Sequence, residues 1–192
     1  KRSQLEKFFL DGLESSEIVE RNLHRSTELI RTFKQLAVDQ HSQEIRHIDF
    51  CDYVIEILLS LKPRLKRTQL KFCLDINENL SFKGNPGAIS QLLINMIMNS
   101  AQHGFDLGDE GHIWIKAGIE PCHENGERIA ITYRDNGKGM DRHTVDNIYK
   151  PFFTRAKHTG GSGLGMHICY NLVINALGGQ IDCQSKPGKG VL

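Results

Sequence analysis

Two strongly patterned strands in the middle of the chain place the tightest limit on its fold. Residues 111–120 and 127–134 have the composition of strands, and a polar loop with Asn125-Gly126 joins them. Further strands are expected at 45–50, 69–76, 80–83 and 180–185, and helices at 52–61, 88–103 and 164–177, the first of them ending near Pro63. This order lacks the strict strand–helix alternation of a doubly wound sheet. It predicts an α+β fold, a two-layer sandwich in which helices cover one face of an open mixed sheet.

The first forty residues differ from the rest, since they contain no Pro, one Gly and dense charge. From Val19 to Ala37, apolar or small residues recur at alternating spacings of four and three, which predicts a helix with a heptad seam. A lone helix with such a face is unstable, so we expect a helical hairpin that forms a four-helix bundle in a homodimer. The alternative is a single helix folded back on its own globular domain. The predicted helical region is 1–40 and the predicted globular domain is 41–192, with its last strand cut short.

Composition excludes several classes of protein. The formal charge of +1 gives no electrostatic footprint for nucleic acid or an anionic membrane. Five scattered cysteines without a CxxC pair argue against a disulfide framework and a structural zinc site, and they indicate a reducing compartment. The apolar runs are far shorter than the roughly 20 residues that span a bilayer. The sequence therefore predicts a cytoplasmic protein, with any membrane anchor in segments outside this chain.

Asn95 and Asn99 are four residues apart in the predicted helix 88–103, so both side chains lie on one face. Their apolar neighbours indicate a largely buried helix, in which polar side chains need partners. An amide oxygen is a hard neutral ligand suited to Mg²⁺. On these residues alone, a magnesium site and a helix-to-backbone hydrogen bond are equally good interpretations.

A second candidate feature is the run Asp135-Asn136-Gly137-Lys138-Gly139-Met140, directly after a strand. Two glycines at alternate positions let the backbone approach a flat ligand or adopt a positive φ. An acid at the end of a strand can accept a hydrogen bond from an exocyclic amine such as that of adenine. Taken in isolation, however, this pattern more often marks a tight loop with a capping Asp.

Two further features lie downstream. Phe152 and Phe153 are adjacent aromatics in a polar stretch and are expected to pin a loop to the core, so that the surrounding segment forms a hinged lid. The glycine-rich run 160–166 opens the last helix, where free N–H groups and the helix dipole favour an anion. Arg155 and Lys157 in the lid could add charge toward phosphates. An apolar helix follows the glycines at once, which argues against a flexible linker.

The signatures of other nucleotide and metal enzymes do not occur in the sequence. There is no GxxxxGK[ST] phosphate loop, no GxGxxG dinucleotide fingerprint after a strand, and no HRD or DFG of the eukaryotic-type protein kinases. Neither HExxH nor a paired His/Cys spacing suggests a catalytic transition metal.

In order and spacing, the four features resemble the N, G1, F and G2 boxes of the histidine kinases, within the GHKL superfamily that also includes gyrase and related ATPases. The boxes read NMIMNSAQH, DNGKGM, PFF and GGSGLGM, and the match spans about 50–192. The resemblance implies an ATP:protein-histidine phosphotransferase of two-component signal transduction. It also implies ATP and Mg²⁺ as cofactors, and a response-regulator receiver domain as partner.

The same resemblance implies roles for individual residues. Asn99 would bind Mg²⁺, Asn95 would support the metal or the phosphates, and Asp135 would hold the adenine amine. The glycines implied to shape the adenine pocket or to wrap the triphosphate are Gly137, Gly139, Gly161, Gly163 and Gly165. The complete ATP site implied in this way comprises Asn95, Asn99, Gln102, His103, Asp135, Gly137, Gly139, Met140, Phe153, Arg155, Lys157, Gly161, Ser162, Gly163, Leu164 and Gly165.

Three positions bear on how far the resemblance extends. Ser100 replaces the usual alanine after the second asparagine, and Gln102 stands where many members carry a phosphate-binding lysine. His103 or the basic residues of the lid are candidates to supply the missing charge. Asn95 occupies the place of a glutamate that activates water in the ATPase branches, and an amide has no useful basicity for that task. Transfer to a nucleophile other than water is therefore favoured.

The acceptor histidine is expected upstream of Lys1. The family's acceptor lies in a motif like H-E-x-x-T-P, whereas Arg25-Ser26-Thr27-Glu28 follows His24, which is only 71 residues before Asn95. His24 is therefore interpreted as a solvated bundle residue, and the chain is expected to bind ATP without phosphorylating itself. Two alternatives stay open: a nucleotide-sensing GHKL interaction module without transferase activity, which Gln102 supports, and a GHKL ATPase.

Overall fold

The computed structural model describes residues 7–13, 15–20, 22–23, 27, 45–106, 108–122, 126–154 and 162–192. Near the start of the chain, 7–13 and 15–20 are helical, with Phe8, Phe9 and Leu13 exposed to solvent. Most of the predicted heptad seam lies outside the described residues, as does His24. No described helix has the length and hydropathy that a membrane crossing requires.

From residue 46 onward, strands and helices alternate irregularly. The elements are β1 (Arg46–Asp49), α1 (Phe50–Leu65), β2 (Gln69–Ile76), β3 (Ser81–Gly84), α2 (Pro86–Asn99), β4 (Glu110–Cys122), β5 (Gly126–Asp135), α3 (Arg142–Asn147) and α4 (Gly165–Asn171). Wide π-type turns extend α2 through Ser100–Gly104 and α4 through Leu172–Ala176. Helix α2 begins two residues before the predicted start because the Asn85 side chain accepts a hydrogen bond from the Ala88 N–H, at 3.0 Å, and Pro86 follows this cap.

The strands form a mixed arrangement. Strand β4 pairs in parallel with β2 and antiparallel with β5, while β1 and β3 form a separate antiparallel pair. The parallel β2–β4 pair is joined by a crossover that contains β3 and α2, because parallel neighbours cannot be connected by a tight turn. The predicted α+β fold with an open mixed sheet is confirmed.

One face of the sheet carries the main hydrophobic core. Along β4, Ile113, Ile115 and Ala117 are buried, while the intervening side chains point to the other face. Helices α1 and α2 cover the buried face with Val54, Ile57 and Leu61 from α1 and Ile89, Leu93 and Ile97 from α2. The two-layer prediction, with helices on one face, is therefore confirmed as well.

Helix α2 also takes part in a second, smaller core. Its residues Ala88 and Leu92 pack against α4 and the turn after it, whose contributions are Leu164, Ile168, Cys169, Leu172 and Val173. Because α2 is shared by the two cores, its position is fixed from both sides. Its remaining side faces an open space, where the functional groups lie.

Two predictions about the elements are wrong: the end of α1 and the existence of a strand at 180–185. Helix α1 does not end before Pro63 but continues to Leu65; Pro63 lies in the last turn, where a proline removes only one late hydrogen bond, and Leu61 and Leu65 are both buried. The predicted strand 180–185 does not form. In the described structure this segment pairs only at its end, through a bridge between Ser185 and Val191 and two backbone hydrogen bonds between Gln184 and Leu192.

Candidate functional site

The third side of α2 forms one wall of a cleft of about 1160 Å³, and the end of β5, the loop after it, α3 and the start of α4 form the others. The predicted site residues that line this cleft are Asn95, Asn99, Gln102, His103, Asp135, Gly139, Met140, Phe153, Ser162, Gly163 and Gly165. Gly137 and Leu164 are buried behind the walls. Arg155, Lys157 and Gly161 lie outside the described residues.

At one end, which we call the amide end, Asn95 and Asn99 meet the start of α4. Both amides are half-buried and line the cleft. The Asn95 Oδ1 accepts a hydrogen bond from Gln91 Nε2 at 2.9 Å, and its Nδ2 donates to the Gly165 carbonyl over a long 3.4 Å. The predicted same-face placement of the two asparagines is therefore correct, and Asn95 also ties α2 to α4.

The two described glycines of the amide end, Gly163 and Gly165, differ in what a side chain would contact at each position. Gly163 has a φ of 68°, and a Cβ there would lie 2.6 Å from the carbonyl carbon of Phe152, so the backbone itself excludes a side chain. At Gly165 a Cβ would lie 3.6 Å from the amide atoms of Asn99, which is an ordinary contact. The fold thus accepts a side chain at Gly165, but that side chain would cover Asn99.

The opposite end, which we call the carboxylate end, is built around Asp135. Its side chain is 2% exposed, yet it borders the cleft. Oδ1 accepts hydrogen bonds from the Gly137 N–H at 2.9 Å and the Val191 N–H at 3.2 Å, and Oδ2 accepts one from the Ser100 hydroxyl at 2.6 Å. All three are hydrogen bonds that the carboxylate accepts, and a carboxylate without its proton can only accept.

Tyr133 extends this arrangement, and the sequence reasoning did not include it. Its hydroxyl lies 2.8 Å from Ser100 Oγ and 3.2 Å from the Met96 carbonyl oxygen. Burial, with a smaller contribution from the charge of Asp135, raises the pKa of Tyr133, while the Ser100 hydrogen bond opposes the shift. The phenol therefore remains protonated across the neutral range. Its position two residues before Asp135 on the same strand face was a usable signal.

The segment 185–191 packs against the backbone of Asp135 and of the loop that follows it. The Asp135 N–H donates to the Val191 carbonyl at 3.0 Å, and the Gly188 N–H donates to the Lys138 carbonyl at 2.6 Å. A Cβ on Gly190 would overlap the Asp135 carbonyl oxygen, so the close approach requires glycine there. No local pattern in the sequence indicated this contact, because it joins residues 56 positions apart.

The glycines of the G1 run divide between two tasks. Gly137 packs against the wide turn that follows α2: a Cβ there would lie 2.5 Å from the Gly104 carbonyl oxygen. Gly139 lines the cleft, has a φ of 64°, and would collide with the Lys186 carbonyl oxygen if it carried a Cβ. Met140 lines the cleft beside it. Gly137 thus lets the loop pack closely against the turn after α2, whereas Gly139 and Met140 lie on the wall of the cleft.

Positive charge is sparse on the described walls. The Lys138 ammonium forms an exposed ion pair with Asp106 at 2.6 Å, which is the weak kind. His103 has much of its surface open to the cleft, but the protein atoms that crowd its imidazole lower its pKa. His103 is therefore predominantly neutral near pH 7 and does not replace a lysine at Gln102. Of the other cationic residues, Arg64 of α1 lines the cleft, whereas Arg155 and Lys157 are outside the described residues.

The lid predicted around the two phenylalanines, 141–161, is described as far as residue 154. The Asp141 side chain caps α3 by accepting a hydrogen bond from the Thr144 N–H at 2.8 Å. Phe153 lines the cleft, with its ring 5.9 Å from that of His143. Phe152, however, is 59% exposed, so the prediction that both rings pin the loop to the core is wrong for Phe152. Its φ of 63° lies in the left-handed region, which is unusual for a residue with a bulky side chain.

Comparison with known proteins places this cleft in a family. Residues 84–191, which contain both ends, match the model of the histidine kinase-, DNA gyrase B- and HSP90-like ATPases. The sensor histidine kinase ZraS of Klebsiella oxytoca is 30% identical over 152 residues, which are 79% of this chain and 28% of that protein. The chain spans about a quarter of the length of the curated relatives it matches.

Solved structures give the same fold. The catalytic domain of the histidine kinase ThkA superposes with a TM-score of 0.63 at 23% identity, over 77% of this chain and 91% of that one. ThkA in complex with the response regulator protein TrrA superposes with a TM-score of 0.61 at 22% identity, over 86% of this chain and 46% of that one. The chain therefore belongs to the family of histidine kinase-, DNA gyrase B- and HSP90-like ATPases, and its globular part is an ATP-binding catalytic domain of the histidine kinase type.

Proposed function

We propose that the protein donates the γ-phosphoryl group of ATP to a histidine as the catalytic part of a sensor histidine kinase. The observation that carries the proposal is the convergence of a buried carboxylate, two helical amides and a glycine-lined helix start on one cleft. A purine nucleotide has matching groups at its two ends: an exocyclic amine and a triphosphate. The cleft therefore suits a molecule that reaches from one end to the other.

The carboxylate end would hold adenine. Because the Asp135 carboxylate is buried and accepts three donors, it remains an acceptor and has capacity for one more N–H. The 6-amino group of adenine provides that donor, whereas a 6-oxo purine presents an acceptor to an acceptor. Gly139 and Met140 would lie against the base. This end therefore selects adenine nucleotides.

The amide end would hold the phosphates and Mg²⁺. The side-chain oxygen of Asn99 is a hard neutral ligand on the cleft wall, and the missing side chain of Gly165 leaves it open. These donors fit a cation that brings phosphate and water ligands of its own. Bound there, Mg²⁺ would neutralise charge on the phosphates. Gly161, Ser162 and Gly163 would wrap the triphosphate, and Arg155 and Lys157 would supply the cations.

The reaction would be an in-line displacement. An imidazole nitrogen bonds to the γ-phosphorus, the bond to the β–γ bridging oxygen breaks, and its electron pair leaves with ADP; the imidazole proton passes to solvent. The protein's part is mainly positioning and charge neutralisation. Asn95 favours transfer over hydrolysis, because an amide cannot deprotonate water.

The acceptor and partners belong to the same proposal. We place the acceptor on a helix upstream of residue 1 and assign 1–40 to a bundle that dimerises the protein and 41–192 to catalysis. A response-regulator receiver domain would take the phosphoryl group next; ThkA, which shares the fold, has been solved with a response regulator. The catalytic reaction would take place in the cytoplasm, whether or not the full protein is anchored in a membrane.

A labelling experiment tests the proposal. The chain as given should bind Mg-ATP, release little phosphate and acquire no label from γ-labelled ATP, whereas a form extended upstream by the next helix should acquire acid-labile label. Label on His24 would overturn the placement of the acceptor. Steady phosphate release would favour the ATPase alternative. Binding without label in the extended form would favour the nucleotide-sensing module.

A further inference from the structure

We propose that Ser100 and Tyr133 are positioning residues that set the preference of the cleft for adenine over 6-oxo purines, by fixing Asp135 with a directional chain of hydrogen bonds. The inference deepens the proposed function and rests on it. Neither residue needs to touch the nucleotide. Both act through the carboxylate.

The first step is the geometry of the chain. Tyr133 and Asp135 are two residues apart on β5, so both side chains leave the same face, and both are buried. Ser100 reaches them from α2, because the helix widens into its π-type turn at this residue. Its Oγ lies 2.8 Å from the Tyr133 hydroxyl and 2.6 Å from Asp135 Oδ2. Two elements are thereby connected through one buried hydroxyl.

The second step is the direction of each hydrogen bond. An ionised carboxylate can only accept, so the single Ser100 proton goes to Asp135. The Ser100 oxygen is then left with lone pairs, and Tyr133 must donate to it, with the more distant Met96 carbonyl as a secondary acceptor. The raised pKa of Tyr133 keeps this donor in place at neutral pH. The ionised form of Asp135 therefore orients both hydroxyls.

The third step is the remaining capacity of the carboxylate. A carboxylate has about four acceptor sites. The described residues fill two on Oδ1, through the Gly137 and Val191 N–H groups, and one on Oδ2, through Ser100. By this count one acceptor site on Oδ2 is left for a ligand, and Asp135 lines the cleft. A donor placed there forms a hydrogen bond, whereas the O6 of a 6-oxo purine meets an oxygen that cannot turn away or donate.

Removal of the Ser100 hydroxyl would loosen this selection in a specific way. Oδ2 would lose its short hydrogen bond from Ser100, so the carboxylate could rotate and so tolerate O6. Affinity for ATP should fall while affinity for inosine triphosphate stays constant or rises. A purely structural role for Ser100 would weaken both nucleotides alike.

The test is calorimetric titration of the whole chain with Mg-ATP and Mg-inosine triphosphate. For Ser100→Ala the ATP preference should fall about tenfold, as expected for a hydrogen bond to a charged group, and Ser100→Cys should behave similarly because a thiol is a weak donor. Tyr133→Phe should lower the preference by about threefold. Ser60→Ala is the matched control, because that hydroxyl bonds only its own helix, at Ile57.

The outcomes separate this inference from the proposed function. Equal losses for both nucleotides, or an unchanged preference in Ser100→Ala and Tyr133→Phe, would overturn the positioning role while leaving an adenine site in place. A wild-type chain that binds neither nucleotide would overturn the proposed function itself. Melting temperatures well above the temperature of the titration in all variants show that each comparison is made on folded protein.

Discussion

The two ends of the cleft differ in how complete they are in the protein alone. At the carboxylate end, Asp135 is buried and accepts three hydrogen bonds drawn from its own loop, from α2 and from segment 185–191. At the amide end, Asn95 and Asn99 are half-buried, and the hydrogen bond to Gly165 is long at 3.4 Å. We call the carboxylate end finished, because the protein supplies three hydrogen bonds to a buried Asp135, and the amide end unfinished, because its two amides are more exposed.

The difference has an energetic consequence. In the described part of the chain no buried side-chain nitrogen or oxygen lacks a partner, so the carboxylate network contributes to the stability of the fold as well as to recognition. The amides of the other end are partly solvated already, and losing one costs the fold little. Substitutions in the carboxylate network should therefore change both stability and binding, whereas truncation of the amide side chains at the other end should change binding alone.

The largest effect on stability and on ATP affinity is expected for Asp135→Asn, which changes the carboxylate at the finished end. An asparagine must turn its NH₂ group toward the Ser100 hydroxyl or toward two backbone N–H donors, so at least one buried donor loses its acceptor. We expect a loss of about 2 kcal/mol in the free energy of unfolding and about 100-fold in ATP affinity, with a far smaller change for GTP. Denaturant unfolding and calorimetry measure both.

The control for this variant is Asp106→Asn, which removes an exposed carboxylate from its ion pair with Lys138 and should leave stability and affinity close to wild type. Equal losses of ATP and GTP affinity in Asp135→Asn would remove the adenine role of Asp135 and make the two ends alike.

The next largest effect is expected for Gly165→Ala at the unfinished end. Its Cβ meets only the Asn99 amide at 3.6 Å, and alanine favours a helix over glycine, so the free energy of unfolding should stay the same or rise by up to about 1 kcal/mol. The methyl group would crowd Asn99, and affinity for Mg-ATP should fall about tenfold. Thermal unfolding and calorimetry on the same samples separate the two quantities.

Gly163→Ala is the contrasting variant of the same loop. Its positive φ and the backbone of Phe152 exclude a Cβ, so stability itself should fall. If Gly165→Ala destabilised the protein as much as Gly163→Ala, the amide end would be as tightly built as the carboxylate end, and the distinction drawn between them would be lost.

A smaller effect is expected for Asn99→Ala, which tests the metal role directly. Removing the amide oxygen should weaken Mg-ATP about fivefold and metal-free ATP much less, because only the metal complex uses that ligand. Stability should be unchanged, since Asn99 is half-buried at the cleft. Titration with and without magnesium gives the ratio. An equal loss under both conditions would assign Asn99 to the phosphates or to packing instead.

The smallest effect concerns His103 and pH. Crowding by the protein lowers the folded pKa of His103 below its usual 6.5. Its contribution to stability is therefore present above pH 6.5 and is lost as the pH falls through the folded pKa, where the unfolded chain binds the proton first. The stability difference between wild type and His103→Asn should shrink as the pH is lowered from 7.5 to 5.5. A difference that grows on acidification would place a favourable anion beside His103.

Most features that depend on residues close together in the sequence were predicted correctly. The strands 45–50, 69–76 and 111–120 were found because burial on one face imposes an alternation that can be read directly. The Asn95–Asn99 pair was placed correctly because helical spacing alone decides which residues share a face. Asp135 was located by its position at the end of a strand, before glycines that the loop needs.

What the sequence did not predict depends on contacts between distant segments. The Ser100 hydroxyl meets Tyr133 only when the widened end of α2 packs against β5, so Ser100 was recognised as unusual but not as part of the site. The Val191 N–H reaches Asp135 across 56 residues. Segment 180–185 has the pattern of a strand but finds no strand partner along most of its length in the described structure, and pairing, not propensity, makes a strand.

The most direct test of the central claim is an NMR titration of the chain with a non-hydrolysable Mg-ATP analogue, followed through the backbone amides of Gly137 and Gly165. One nucleotide spanning the cleft should shift both signals along a single saturation curve with a stoichiometry of one. If only one of the two signals responds, or if the two saturate at different concentrations, the two ends do not bind the same molecule.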